Sequence, residues 1–171
     1  SHTRPVFENM PFTNLGDVPN KPKPIWSIYE DHDGVCWIGS INNVISVKNG
    51  KILHIYDLSR FISSALSCVT AIREYRGKLI TGIYDTGLLS IDPVSGAVSR
   101  ITSGPMSNIN SLCETPDGKL LVGAQDGLYE YDGTHLIKLK EVSNHFFNLL
   151  PNGIAYDNQG KLWIGSYGLG V

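Results

Sequence analysis

Short apolar runs broken by Gly, Asp and Asn recur along this chain, and none keeps a 3.6-residue apolar period long enough to predict a sustained helix. The pattern predicts strands. One phrase appears four times, as Asp33-Gly34-Val35-Cys36-Trp37-Ile38-Gly39, Arg76-Gly77-Lys78-Leu79-Ile80-Thr81-Gly82, Asp117-Gly118-Lys119-Leu120-Leu121-Val122-Gly123 and Gln159-Gly160-Lys161-Leu162-Trp163-Ile164-Gly165. Its first glycines fall at 34, 77, 118 and 160, at intervals of 43, 41 and 42 residues. Strand-like content repeating every ~40–50 residues is the signature of β-propeller blades.

Each copy reads as the same run of strands and turns. Six residues before the first glycine stands an apolar residue, Ile28, Leu112 or Ile154, while Ile72 stands five before in the second copy, a one-residue deletion. That segment is the inner strand. The Asp-Gly pair then supplies the positive φ angles of a tight hairpin. A second strand follows, apolar on both faces (Cys36-Trp37-Ile38, Leu120-Leu121-Val122, Leu162-Trp163-Ile164), as suits a strand held between neighbouring blades. The third strand alternates, with Ile45 and Val47, Leu89 and Ile91, and Tyr129 and Tyr131 on one side and Ser46, Ser90 and Glu130 between them. Alternation predicts half burial.

Turns at Lys48-Asn49-Gly50, Asp92 to Gly96 and Asp132-Gly133-Thr134 lead into fourth strands near Ile52 to Tyr56, Val98 to Thr102 and Leu136 to Lys140. Four antiparallel strands make a blade. The expected organisation is all-β: a lead-in segment 1–24, whose Val6-Phe7 could add one outer strand, then blades at 25–67, 68–108 and 109–151, and an incomplete fourth blade at 152–171. Connectors Asp57 to Ser67 and Glu141 to Asn152 leave room for a short helical turn.

Composition narrows the chemistry. With 14 Lys and Arg against 16 Asp and Glu, the formal charge is −2, so no basic surplus exists to neutralise phosphates and nucleic acid is excluded as a partner of this segment. No apolar run reaches the ~20 residues of a membrane span. The three cysteines, Cys36, Cys68 and Cys113, are an odd number at unmatched repeat positions, which argues against a disulfide framework. Asp31-His32-Asp33-Gly34 opens like a calcium loop, but the later carboxylates are missing, and a hairpin turn is the better reading. Gly165 to Gly170 spaces glycines like a dinucleotide site, yet it follows a propeller strand. No two of the five histidines have metal-ligand spacing, and no nucleophile has a local base. No cofactor, metal or catalytic residue is expected.

Taken in order, Ile28-x-Glu30-Asp31-x-Asp33-Gly34-x-x-Trp37-Ile38-Gly39-Ser40, with echoes at Leu112 to Gly123 and Ile154 to Ser166, resembles the two-component regulator propeller repeat. Gly87-Leu88 and Gly127-Leu128, the Pro-x-x-Asn of Pro105 to Asn108 and the pair Pro151-Asn152 fit the same pattern, which spans nearly everything from Ile25 onward. The second copy departs from it, with Ile80-Thr81 in place of Trp-Ile and no Asp before Gly77. The resemblance implies a sensor on the extracytoplasmic, periplasmic side of a membrane, joined to further blades and a histidine kinase in one polypeptide. It further implies an oligosaccharide ligand and control of carbohydrate-utilisation genes. A propeller enzyme of the lyase or lactonase type and a protein-interaction scaffold are the alternatives, because fold alone does not decide function.

Repetition at one position assigns Trp37 and Trp163 to wedges between blades, whereas Trp26 divides between core and channel lining. The loops between second and third strands are the expected ligand face, since loops on a rigid scaffold vary freely. They offer Asn42, Asn43, Tyr84, Asp85, Gln125, Asp126 and Tyr167, which with Trp26 make the candidate binding set. An arc of blades with an uncovered terminal face also predicts self-association, most simply a homodimer.

Overall fold

In the computed structural model, residues 24–62, 64, 67–102, 108–140 and 151–166 are described. The hydrophobic repeats become three four-stranded antiparallel sheets and one two-stranded sheet, each with its strands in sequence order. The first holds β1 (Ser27–Glu30), β2 (Cys36–Gly39), β3 (Asn43–Lys48) and β4 (Lys51–Asp57). The second holds β5 (Val69–Tyr75), β6 (Lys78–Ile83), β7 (Gly87–Ile91) and β8 (Val98–Arg100). The third holds β9 (Ile109–Glu114), β10 (Leu120–Ala124), β11 (Gly127–Tyr131) and β12 (Leu136–Lys138), and β13 (Pro151–Tyr156) pairs with β14 (Leu162–Ser166). The connector after β4 forms a single 3-10 turn at Ser59–Phe61. Val6-Phe7 and the connector 141–150 lie outside the described residues.

The hairpin between first and second strands is closed differently from the expectation. Gly34, Gly118 and Gly160 take positive φ (73°, 77° and 77°), but Asp33, Asp117 and Gln159 do not. Only the glycine is left-handed. In the first and fourth copies the acidic residue three positions earlier organises the turn: Asp31 Oδ1 accepts the amides of Asp33 (3.0 Å) and Val35 (2.9 Å), and Asp157 Oδ1 accepts those of Gln159 (2.9 Å) and Lys161 (2.8 Å). The other oxygen takes the indole N–H of the strand tryptophan, Trp37 at 2.8 Å and Trp163 at 2.9 Å. In the second copy the deletion leaves a two-residue turn, with Arg76 (φ 51°) and Gly77 (φ 70°) both left-handed, the geometry of a type I′ hairpin.

These bonds favour ionised carboxylates. For Asp157 the Trp163 indole and the Lys161 amide hold the pKa below its ordinary 3.8. At Asp31, partial burial pushes the other way and is outweighed by the Trp37 indole and the turn amides. Asp132, bonded by the amides of His135 and Thr134, falls to about 2. Folded-state values below the unfolded ones mean that the stabilisation is complete above the ordinary carboxylate pKa and is lost as pH falls through the depressed values. The melting temperature should therefore decline between about pH 4 and pH 2; a flat melting temperature across that interval would contradict these bonds.

Blades pack through two large apolar seams and a smaller one. Trp37, Val44 and Tyr56 of the first blade meet Ile72, Leu79 and Leu89 of the second. Ala71, Tyr75 and Ile80 of the second meet Ile109, Leu112 and Val122 of the third. Cys113, Leu121 and Leu128 meet Ile154 of the fourth. Inner strands are also tied by side chains bonded to the next blade's carbonyls: Ser27 Oγ to Val69 O (2.7 Å), Thr70 Oγ1 to Ile109 O, and Arg73 Nη2 to Leu112 O (3.1 Å).

Two expectations need correction. Ser46 and Ser90 on the third strands are buried, so β3 and β7 are covered on both faces; Ser46 is tolerated there because its hydroxyl accepts the His54 amide at 3.1 Å. Only β11 stays half-buried, with Glu130 paired to Lys119 at 2.8 Å. Trp163 is not an inter-blade wedge among the described residues: Trp37 is 5% exposed and Trp163 is 45% exposed. The indole of Trp163 stands on the face turned away from the third blade, opposite to Ile154, Leu162 and Ile164, where no described strand covers it.

The repeated second glycine has a steric reason. A Cβ on Gly39 would lie 2.8 Å from Val69 O, and one on Gly82 would run into Ile109 Cγ2 with Ile109 Cβ at 2.8 Å. In both cases the obstacle is the inner strand of the next blade. At Gly165 the nearest described atom is Gly153 O of the same blade, at 3.9 Å.

Candidate functional site

The loops joining second to third strands gather at one end of the arc, where chain segments entering the next inner strand also arrive. Backbone bonds knit them together: Ser40 O accepts from Val69 N (3.1 Å), Ile41 bridges Cys68, and Cys68 O accepts from Tyr84 N (3.0 Å). Gln125 N donates to Asn108 O at 2.9 Å in the same way.

On this base the expected residues separate into groups. Asn42 (φ 63°) and Asp85 (φ 60°) both hold left-handed backbone, conformations that Asn and Asp tolerate better than most residues. Asp85 N donates to Asn108 Oδ1 (3.1 Å), and Asn108 Nδ2 donates to Gln125 Oε1 (3.0 Å), which joins two neighbouring loops through one side chain. Asn43 is committed to β3 and donates from Nδ2 to Ile41 O at 3.4 Å. Tyr84 is 38% exposed. Asp126 Oδ2 accepts the Tyr129 hydroxyl (2.6 Å) and Lys138 Nζ (2.8 Å), and burial together with this carboxylate raises the Tyr129 pKa. Trp26 precedes β1, with its backbone N–H on Gly39 O at 2.9 Å and 56% of its surface exposed among the described residues. Tyr167 and Gly168 to Gly170 lie outside the described residues.

Buried hydrogen-bonding atoms without partners mark this end. Asn42 Oδ1, Ser67 Oγ and Thr86 Oγ1 are enclosed and unpaired among the described residues. Each stands within two positions of the Ile41–Cys68–Tyr84 chain of backbone bonds. A buried polar atom left unpaired costs ~1–3 kcal/mol, so three near one face make a place where ordered water would be bound favourably. The sequence reading missed Ser67, Thr86 and Asn108. For Asn108 a signal existed, because Pro-x-x-Asn precedes an inner strand; a lone Ser or Thr carries none.

Comparison with known proteins follows the geometry. The family model described as two-component regulator propeller matches residues 21–42 and 146–168. No curated protein sequence matches the chain. Among solved structures, an extracellular domain from B. thetaiotaomicron assigned to a hybrid two-component system superposes with TM-score 0.69 at 24% identity, over 86% of this chain and 21% of that one. Another such domain from the same organism gives TM-score 0.62 at 22% identity, over 84% of this chain and 20% of that one. Virginiamycin B lyase from Staphylococcus aureus gives TM-score 0.66 at 15% identity, over 85% of this chain and 50% of that one. At these identities the likeness shows the fold, and the chain spans only about a fifth of the two-component domains. Residues 21–42 and 146–168 thus match the two-component regulator propeller repeat, and the described residues share the blade fold of extracellular domains of hybrid two-component systems.

Proposed function

We propose that this chain is a ligand-sensing arc in the extracytoplasmic part of a two-component signalling protein, lying on the periplasmic side of the membrane. Its ligand is an oligosaccharide, and the same polypeptide continues into further blades and a histidine kinase. The observation that supports the reading best is the exposed Tyr84 beside the Asp85–Asn108–Gln125 link, which presents amide and carboxylate groups on the loop face. Hydroxyl and amide acceptors next to an exposed tyrosine are the chemistry that sugar hydroxyls pair with. The propeller blades supply the stiffness, and the loops supply the recognition.

Titration of a panel of neutral and acidic oligosaccharides into the labelled chain, followed by amide chemical shifts, tests this. One or more should perturb residues of the 40–43, 84–86 and 125–126 loops. Tyr84→Ala should weaken that binding roughly tenfold, equivalent to about 1.4 kcal/mol, while shifting the melting temperature by less than about 2 °C. A panel that leaves all three loops unperturbed sinks the reading. The uncovered apolar faces carry a related expectation, self-association of the isolated chain as a homodimer, read as a concentration-dependent sedimentation coefficient.

A further inference from the structure

At the loop end of the second and third blades, one side chain decides what two loops offer to a ligand. The backbone N–H of Asp85 can only donate, so the oxygen of the Asn108 side chain must be the atom facing it, at 3.1 Å. The nitrogen then points the other way. Asn108 Nδ2 donates to Gln125 Oε1 at 3.0 Å, which orients the second amide too and leaves Gln125 Nε2 without a partner among the described residues. The main chain of Asn108 is tied to the same loop, since Gln125 N donates to its carbonyl at 2.9 Å. Asn108 is half-buried and Gln125 is exposed, so the orienting group is the more enclosed of the two.

The acceptor on this face is Asp85. It holds left-handed backbone (φ 60°), it is exposed, and among the described residues no hydrogen bond or ion pair engages its carboxylate. Other charged groups near these loops are engaged. Asp126 accepts the Tyr129 hydroxyl at 2.6 Å and Lys138 Nζ at 2.8 Å, and Arg100 donates to the carbonyls of Thr86 (3.4 Å) and Phe61. Tyr84 is also exposed, and its hydroxyl has no described partner. The 84–86 and 125–126 loops thus present a carboxylate acceptor, an amide donor and an aromatic ring.

We infer that Asp85 and Gln125, held in this polarity by Asn108, bind a neutral sugar ring through its hydroxyls and discriminate against acidic saccharides. This specificity rests on the oligosaccharide reading above and names the class of saccharide that the loop face takes. A sugar hydroxyl both donates and accepts, so it can give its proton to the Asp85 carboxylate and receive one from Gln125 Nε2. The two carboxylate oxygens suit adjacent hydroxyls, and bonds to an ionised acceptor are roughly twice as strong as neutral ones. A uronate brings a second negative charge instead. Asn108 is a positioning residue, acting through the two side chains that meet the ligand.

Two measurements test it. In Asn108→Asp the donor of that side chain becomes a second acceptor, so Gln125 should turn Nε2 inward onto it. Its side-chain NH2 signals should shift and exchange with water more slowly than in the parent chain; unchanged signals overturn the positioning role. Maltotriose, mannotriose, galactotriose and galacturonate trisaccharide are then titrated into the parent, Asp85→Asn and Asn108→Asp, with the amides of 84–86 and 125–126 followed. At least one neutral trisaccharide should bind roughly tenfold more tightly than galacturonate trisaccharide, with a narrower gap at high salt. Asp85→Asn keeps a residue that accepts left-handed backbone, and it should weaken neutral-sugar binding roughly tenfold and close the gap. Asn108→Asp should weaken the neutral sugar as well, because Nε2 is turned away. Amide shifts elsewhere that match the parent verify that both variants are folded. Galacturonate trisaccharide bound as tightly as the best neutral sugar, or Asp85→Asn binding as the parent does, overturns this specificity and leaves the sensing proposal standing. Loops silent to all four sugars overturn both.

Discussion

Replacing Trp37 by alanine should cost the fold roughly 3–5 kcal/mol, whereas Trp163→Ala should cost only about 1–2 kcal/mol in the same chain. The two residues hold the same repeat position and make the same indole bond to an acidic turn residue, at 2.8 and 2.9 Å. Only their surroundings differ. Trp37 is sealed against Val69, Ile72 and Leu79 of the second blade, so truncation leaves a cavity as well as lost contact. Trp163 has nearly half its surface in solvent and leaves none. Denaturant unfolding of both variants measures the difference, and equal losses would contradict the assignment of an open outer face. In a longer polypeptide that continues into another blade, the cost at Trp163 should rise toward that at Trp37.

Gly82→Ala should be disruptive for a different reason. The new methyl meets Ile109 of the third blade, so it can be accommodated only by moving an inner strand away from its neighbour, at a cost of roughly 1–3 kcal/mol. Gly165→Ala should be neutral or slightly stabilising, because no described atom lies nearer than 3.9 Å and alanine reduces the freedom of the unfolded chain. Thermal unfolding that ranks Gly165→Ala as harmful as Gly82→Ala would show that this glycine is held by something other than a neighbouring blade.

The blades were legible in the sequence because turn chemistry and spacing are local. Gly34, Gly118 and Gly160 must be left-handed wherever such a hairpin forms, and the strands on each side follow from them. What depends on a neighbouring blade was not legible. Trp163 has the sequence context of a wedge, yet burial is a property of what lies opposite. Ser46 and Ser90 look solvent-facing by alternation, but packing covers them. Asp31, rather than Asp33, proved to organise the turn because its side chain reaches back amides that spacing does not reveal. The candidate loop set was partly legible: Asp85 and Gln125 are indeed brought together, but through Asn108, whose importance appears only when two loops meet.

The seams between inner strands bear on how such a chain could grow. At the first, Ser27 bonds to the main-chain carbonyl of Val69 in the next blade, and at the second, Thr70 and Arg73 bond to those of Ile109 and Leu112. Every residue has a carbonyl, so the acceptor asks nothing of the receiving blade's sequence. A duplicated blade would meet a ready acceptor at its new neighbour while its loops were free to diverge. Gene duplication could thus lengthen the arc one unit at a time, with the cost of each addition set by a glycine and one or two donors.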